Sequence, residues 1–183
     1  MSDDAHGDPP ASTGQQPVGD LTHVRPDGSA HMVDVTGKAE TSREAAAQAV
    51  LTTRPDVVAR LVDGTLPKGE ALGTARIAGI MAAKQTPALI PLCHPLPLGA
   101  ITVDFETDGA DTGADTGAEE ATVTVVARVR TRGVTGVEME ALTAATVAAL
   151  TLFDMIKAVD HLAVIGDVKV LEKSGGKSGA WAR

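Results

Sequence analysis

The chain has 183 residues, a formal net charge of −8 and one cysteine, Cys93. That length supports one domain with a substantial core, and the single thiol excludes both an intrachain disulfide framework and four-thiolate metal centres. The negative balance argues against broad nucleic-acid binding; two Phe, one Trp and no Tyr leave few ring faces on which bases could stack.

Residues 1–20, rich in Asp, Gly, Pro and Ser, read as a disordered tail without a signal peptide. No apolar run is expected to be long enough to cross a membrane, and a cytoplasmic protein follows from these readings. The domain is expected over 21–179, with 180–183 as its end.

Alternation over residues 32–36 predicts a short strand, broken at Gly37, and Gln48–Thr53 a second, stopped before Pro55. Asp56–Val62 predicts a short helix, Pro67-Lys68-Gly69 a turn, and Glu70–Lys84 a longer helix weakened by Gly73 and Gly79. Four prolines in Pro87–Gly99 predict a rigid loop. Ile101–Phe105 and Ala121–Val129 read as paired antiparallel strands. Between them the acidic repeat 109–120 reads as a solvated hairpin loop, because it lacks the ligand spacing of a calcium loop.

Gly136–Ala158 is a 23-residue helical run with only four charges, Glu138, Glu140, Asp154 and Lys157. Thr135 with Glu138 reads as its capping box. A helix so apolar must be buried nearly all round, within the domain or against another subunit, so an oligomer is expected. Val164–Leu171 makes a last strand before the Lys- and Gly-rich segment 173–179. Strand, helices, strand, strand, helix, strand is the order of an α+β fold: a ferredoxin-like antiparallel sheet with helices packed on one face.

Asp154 and Lys157, three residues apart, can meet on one helix face. Two readings stand: a surface salt bridge, or an acid–base pair whose amine is tuned by its apolar neighbours. Glu140 lies fourteen residues before Asp154. The two directions differ by only ~40°, but the helical rise separates them by ~21 Å. One subunit cannot bring both to one bond, so either Glu140 is structural or a substrate spans subunits and meets the two ends of different copies of the helix. Glu138 reads as a structural cap.

Cys93 and His94 are adjacent, so in extended chain they point to opposite sides and do not make a thiolate–imidazole pair. His94, held between Pro91 and Pro95, is either a structural histidine or one presented by a rigid loop. The histidines show no metal-ligand spacing, and no metal site is expected. Segment 173–179 is not a nucleotide-hydrolase P-loop, because Leu171 stands where that motif needs glycine. As a flexible loop with Lys173 and Lys177 it suits phosphate, as do Lys68 on its turn and Arg43.

The segments HMVDVTGK, TARIAGIMAAK, LIPLCHPLPL, TGVEMEALTAATVAALTLFDMIKAVD and VLEKSGGKSG resemble the MoaC family, the cyclic pyranopterin monophosphate synthases of molybdenum cofactor biosynthesis. The likeness runs from about Leu21 to Gly179, and departs only in the acidic repeat and the N-terminal tail. It implies a homohexamer, a trimer of dimers, with active sites at the dimer interface. It also implies conversion of a cyclised dihydroguanosine triphosphate to cyclic pyranopterin monophosphate with release of diphosphate. By matched positions Asp154 would be catalytic with Lys157 as partner. Leu92, Cys93, His94, Met139 and Glu140 would line the substrate, and Lys68, Arg43 and Lys173 would hold phosphates. No cofactor is implied, with Mg²⁺ assistance left open. On the residues alone, a non-catalytic nucleotide-binding domain and a metal-dependent nucleotide hydrolase are the competing classes.

Overall fold

The computed structural model describes residues 24–25, 27–109, 119–176 and 179–183. The expectations for the tail 1–20 and for most of the 109–120 loop fall outside these residues. The chain divides into two units, Met1–Val33 and Asp34–Arg183. In the described part of the first, Val24 and Ala30 make an antiparallel bridge around a turn in which the Asp27 carboxylate accepts from Ser29 N at 2.9 Å.

The second unit contains strands β1 (Thr41–Thr53), β2 (Leu98–Asp108), β3 (Ala121–Gly133), β4 (Val164–Ser174) and β5 (Trp181–Ala182). Its helices are α1 (Pro55–Val62), α2 (Ala71–Leu89) and α3 (Glu138–Ile156). The strands form one antiparallel sheet in the order β2-β3-β1-β4-β5. The α+β class and the antiparallel sheet thus match the expectation.

The core lies between this sheet and α3. Register pairs Ala45 with Val129, Ala47 with Ala127, Ala49 with Val125 and Leu51 with Val123, and all eight are buried. Alternate residues of a strand share a face, so these pairs build one apolar floor. Ala141, Ala144, Ala145, Ala148, Ala149, Leu152 and Ile156 of α3 are buried in the same core. Alanines let the helix approach closely, and the buried Val and Leu side chains contribute about 1.5–3 kcal/mol each. At the α2–α3 contact stands Gly79, where a Cβ would lie 2.9 Å from the Ala144 carbonyl and 3.1 Å from the Ala148 methyl. The glycine that weakens α2 as a helix is therefore what allows α2 to seat on α3.

Several expectations are corrected. Residues 32–36 form no strand: the Asp34 carboxylate accepts from Thr36 N and Oγ1 at 2.9 and 2.7 Å, closing a turn instead. The capping box at Thr135 does not form. Val137 is the N-cap and offers no side-chain bond, while the Glu138 carboxylate turns toward Lys173. α2 continues through Pro87 to Leu89, so the proline-rich loop spans only 90–97. By length and composition α3 is apolar enough to cross a membrane, although no such run was expected. Here it packs on β1 and α2, as a core helix does. β1 also begins seven residues before the expected Gln48, through three consecutive buried alanines, Ala45–Ala47.

Candidate active site

The charged groups singled out in the sequence collect at the two ends of α3. At the C-terminal end, Asp154 stands two residues, or ~200°, round the helix from the buried Leu152, which turns it away from the core. Its Oδ1 meets Lys157 Nζ at 2.7 Å and its Oδ2 meets Lys68 Nζ at 2.7 Å. Lys68 Nζ also donates to the Asp154 backbone carbonyl at 2.8 Å. The Lys157 hydrogen bond, and then that of Lys68, pulls the Asp154 carboxyl down to a pKa of about 2. Asp154 therefore serves as a permanent carboxylate clamped between two ammonium groups.

In the single chain the Asp154 and Lys157 side chains are 54 and 53 % exposed, so the apolar neighbours on α3 do not bury the pair by themselves. Lys68, expected as a phosphate ligand, is here the second partner of Asp154. Ion pairs this exposed stabilise a fold little.

At the N-terminal end, Glu140 is 3 % exposed. Burial pushes its carboxyl up, and the neighbouring Glu138 charge adds to this against the pull of its own backbone hydrogen bond. Loop 90–97 comes down beside it. Cys93 N donates to Ile90 O at 3.0 Å, and Thr131 Oγ1 to Pro97 O at 2.7 Å, fixing both ends of the loop. Cys93 and His94 are half-buried, while Leu92 and Met139 are exposed. Burial, and then the Glu140 charge, raise the Cys93 thiol. A thiol shifted that way is a poor nucleophile, in keeping with the sequence argument against one.

Lys173 reaches Glu138 at 3.4 Å from β4, and its strand partner across the sheet is Ala45. Two residues earlier, Arg43 donates from Nε to Gly133 O at 2.9 Å and from Nη2 to Val134 O at 3.0 Å, pinning the entry to α3. Arg43 also lines a cavity of about 300 Å³ with Gly37, Lys38, Ala39, Thr41 and Gly176. Lys38 was not singled out in the sequence. Its signal was a Gly-Lys turn, as at Pro67-Lys68-Gly69.

The structure thus gathers Arg43, Lys173, Glu140, Cys93, His94, Leu92 and Met139 around one end of α3. It gathers Lys68, Asp154 and Lys157 at the other. One unbroken helix joins the ends, ~21 Å apart from Glu140 to Asp154. Among the described residues, no three His, Cys, Asp or Glu side chains converge as a metal site would need.

An α+β protein with a clamped carboxylate at one end of a helix and a buried acid beside basic groups at the other has the equipment of an acid–base enzyme. This chain belongs to the MoaC family, whose description its residues 32–176 match. It is 63 % identical over 167 residues to the cyclic pyranopterin monophosphate synthase of Corynebacterium efficiens, covering 90 % of this chain and 99 % of that one. Its identity to the Corynebacterium glutamicum protein of the same name is 62 %, with the same coverage. Cyclic pyranopterin monophosphate synthase 2 of Mycobacterium tuberculosis is 53 % identical over 165 residues, covering 90 % of this chain and 92 % of that one.

Proposed function

We propose that this chain is a cyclic pyranopterin monophosphate synthase of molybdenum cofactor biosynthesis, a cytoplasmic lyase. It converts a cyclised dihydroguanosine triphosphate to cyclic pyranopterin monophosphate and releases diphosphate. Identity above 60 % along nearly the whole length of two proteins of that name supports the activity. The separation of the two charged groups along α3 is the observation that carries the site. Neither group is complete for both substrate recognition and proton transfer, so the working site takes the Glu140 end from one copy and the Asp154 end from another.

The strand order β2-β3-β1-β4 supports the ferredoxin-like reading. Ile77 and Met81 on α2 and Leu150 on α3 are large apolar side chains left well exposed. They support burial between copies, in a homohexamer built as a trimer of dimers. In the site, Glu140, Cys93, His94, Leu92 and Met139 receive the purine-derived ring by hydrogen bonds and aliphatic contact. Arg43 and Lys173 hold phosphate oxygens, and Lys68 joins them when substrate draws it from Asp154. Lys157 moves protons, positioned by Asp154. A hydroxyl of the substrate attacks the first phosphorus, the bond to the bridging oxygen breaks, and diphosphate leaves with that electron pair. The reading requires no resident cofactor or nucleic-acid partner; Mg²⁺ would act only by assisting diphosphate departure.

The test is incubation of purified protein with the cyclised triphosphate. A pterin phosphate and diphosphate in equal amounts are expected. Diphosphate release without a pterin would indicate a hydrolase, and binding without turnover a regulatory module.

A further inference from the structure

Just beyond α3 lies a carboxylate that the proposed chemistry does not use. Asp160 is 6 % exposed. Its Oδ2 accepts from Thr53 Oγ1 at 2.7 Å, and its Oδ1 from Leu162 N at 3.0 Å. Its own backbone N–H donates to Ile156 O at 2.9 Å, so the turn stays wound onto the end of α3. Thr53, itself buried, is the last residue of β1. Arg54 follows it, donating from Nη1 to Val159 O at 3.2 Å while Nε and Nη2 hold Asp56.

A buried carboxylate is a costly way to close a turn that a hydroxyl or amide could also close. The ionised group accepts two bonds at once and needs no donor in return. What it joins explains the choice. From Thr53 the chain runs through Arg54 directly into α1 and then to the turn carrying Lys68. From Asp160 it runs back three residues to Lys157 and six to Asp154. The segments that carry Lys68 and Asp154 are thus tied at their shared root by the buried Thr53–Asp160 bond, with Arg54 donating to Val159 O outside it.

We propose that Asp160, through Thr53, is a positioning residue that sets the register of Lys68 against Asp154 and Lys157. This rests on the synthase reading given above. Loosening the root lets α1 shift against the end of α3, and the 2.7 Å contacts of Lys68 and Lys157 with Asp154 are the first to go. Displacements of about 1 Å in such groups can cost up to ~100-fold in rate.

Thr53→Val removes the hydroxyl donor and keeps the shape, and Thr53→Ser keeps the donor. Thr53→Val should lose about tenfold in kcat through Lys157, with KM raised as Lys68 is misplaced for phosphate. Thr53→Ser should stay within about twofold of the parent. Independently of turnover, competitive acetylation read by mass spectrometry should show Lys68 and Lys157 reacting several-fold faster, relative to Lys84, in Thr53→Val alone. If Thr53→Val does not fold, Thr53→Ala replaces it, since it too lacks the hydroxyl donor; the same changes are expected. Unchanged labelling, unchanged kcat, or Thr53→Ser as slow as Thr53→Val would each overturn the proposal. A parent protein that makes no pterin overturns the synthase reading alone, because the labelling ratio still decides whether the root positions the lysines.

Discussion

Lys68 holds Asp154 twice, through its carboxylate at 2.7 Å and through its backbone carbonyl at 2.8 Å. The turn after α1 is thereby fastened to the last turn of α3, and Asp154 is left with an amine on each oxygen. Such a carboxylate stays charged well below neutral pH, which suits the positioning part proposed for it.

Asp154→Asn keeps the shape and removes the charge. Turnover of the cyclised triphosphate should fall about 10²–10⁴-fold, the usual span for general acid–base catalysis, with folding and oligomeric state unchanged. Steady-state kinetics alongside light scattering check this. Activity within a few-fold of the parent would make Asp154 an ordinary salt-bridge residue.

The same carboxylate sets a pH dependence. Its folded pKa of about 2 lies below the ordinary 3.8, so its contribution to stability is fully present above 3.8 and disappears as pH falls toward 2. Thermal melts of parent and Asp154→Asn should differ most above pH 4 and converge below it. A constant difference across that window would contradict the pairing.

Glu140 runs the other way. Burial raises its pKa above 4.5, so the folded state binds the proton more tightly than the unfolded state. The penalty of holding a buried charge is fully present above the raised pKa and vanishes below 4.5. Glu140→Gln should therefore melt at a higher temperature at pH 7.5, lose that advantage near pH 4, and bind substrate more weakly. A melting point lowered at neutral pH would mean that a partner group offsets the charge.

How much of this was legible in the sequence depends on range. Asp154 with Lys157 was readable because three residues of helix fix their relation. Lys68 was recognised as a cation on a turn, but its partner lies 86 positions away, and no local pattern encodes that. The start of β1 was missed because Ala45–Ala47 have little intrinsic preference for a strand. They are extended because β3 and β4 flank them, which is tertiary context overriding propensity. The apolar composition of α3 suggested burial all round, but alanines supply most of its buried face, and Leu150 and Asp154 point outward in the single chain. The separation of Glu140 from Asp154 was fully readable, since helix geometry alone gives it.

Gly79→Ala tests the closeness of the helix pair. The added methyl would meet the Ala144 carbonyl at 2.9 Å, and backbone cannot easily yield. Overpacking should cost about 1–3 kcal/mol, outweighing the helix-propensity gain of at most ~1 kcal/mol. Denaturant unfolding reads the sign, and a stabilised variant would show that α2 can move away from α3.

Subunit mixing tests the shared site. Asp154→Asn and Glu140→Ala should each be inactive alone. If each site draws on two copies across a twofold interface, random reassociation should restore about a quarter of parental activity, from the one intact site in each mixed dimer. No recovery after verified exchange would rule out a site shared in this way.

The unbroken run of α3 has a consequence for how the chain can change length. A single inserted residue would rotate everything beyond it by ~100° and advance it by ~1.5 Å, swinging the Asp154 end away from Lys68 while the Glu140 end stayed in place. The helix is a measuring rod whose two marks cannot be moved separately. Added length is admissible where it leaves the rod untouched, as between β2 and β3, where this chain carries its acidic repeat.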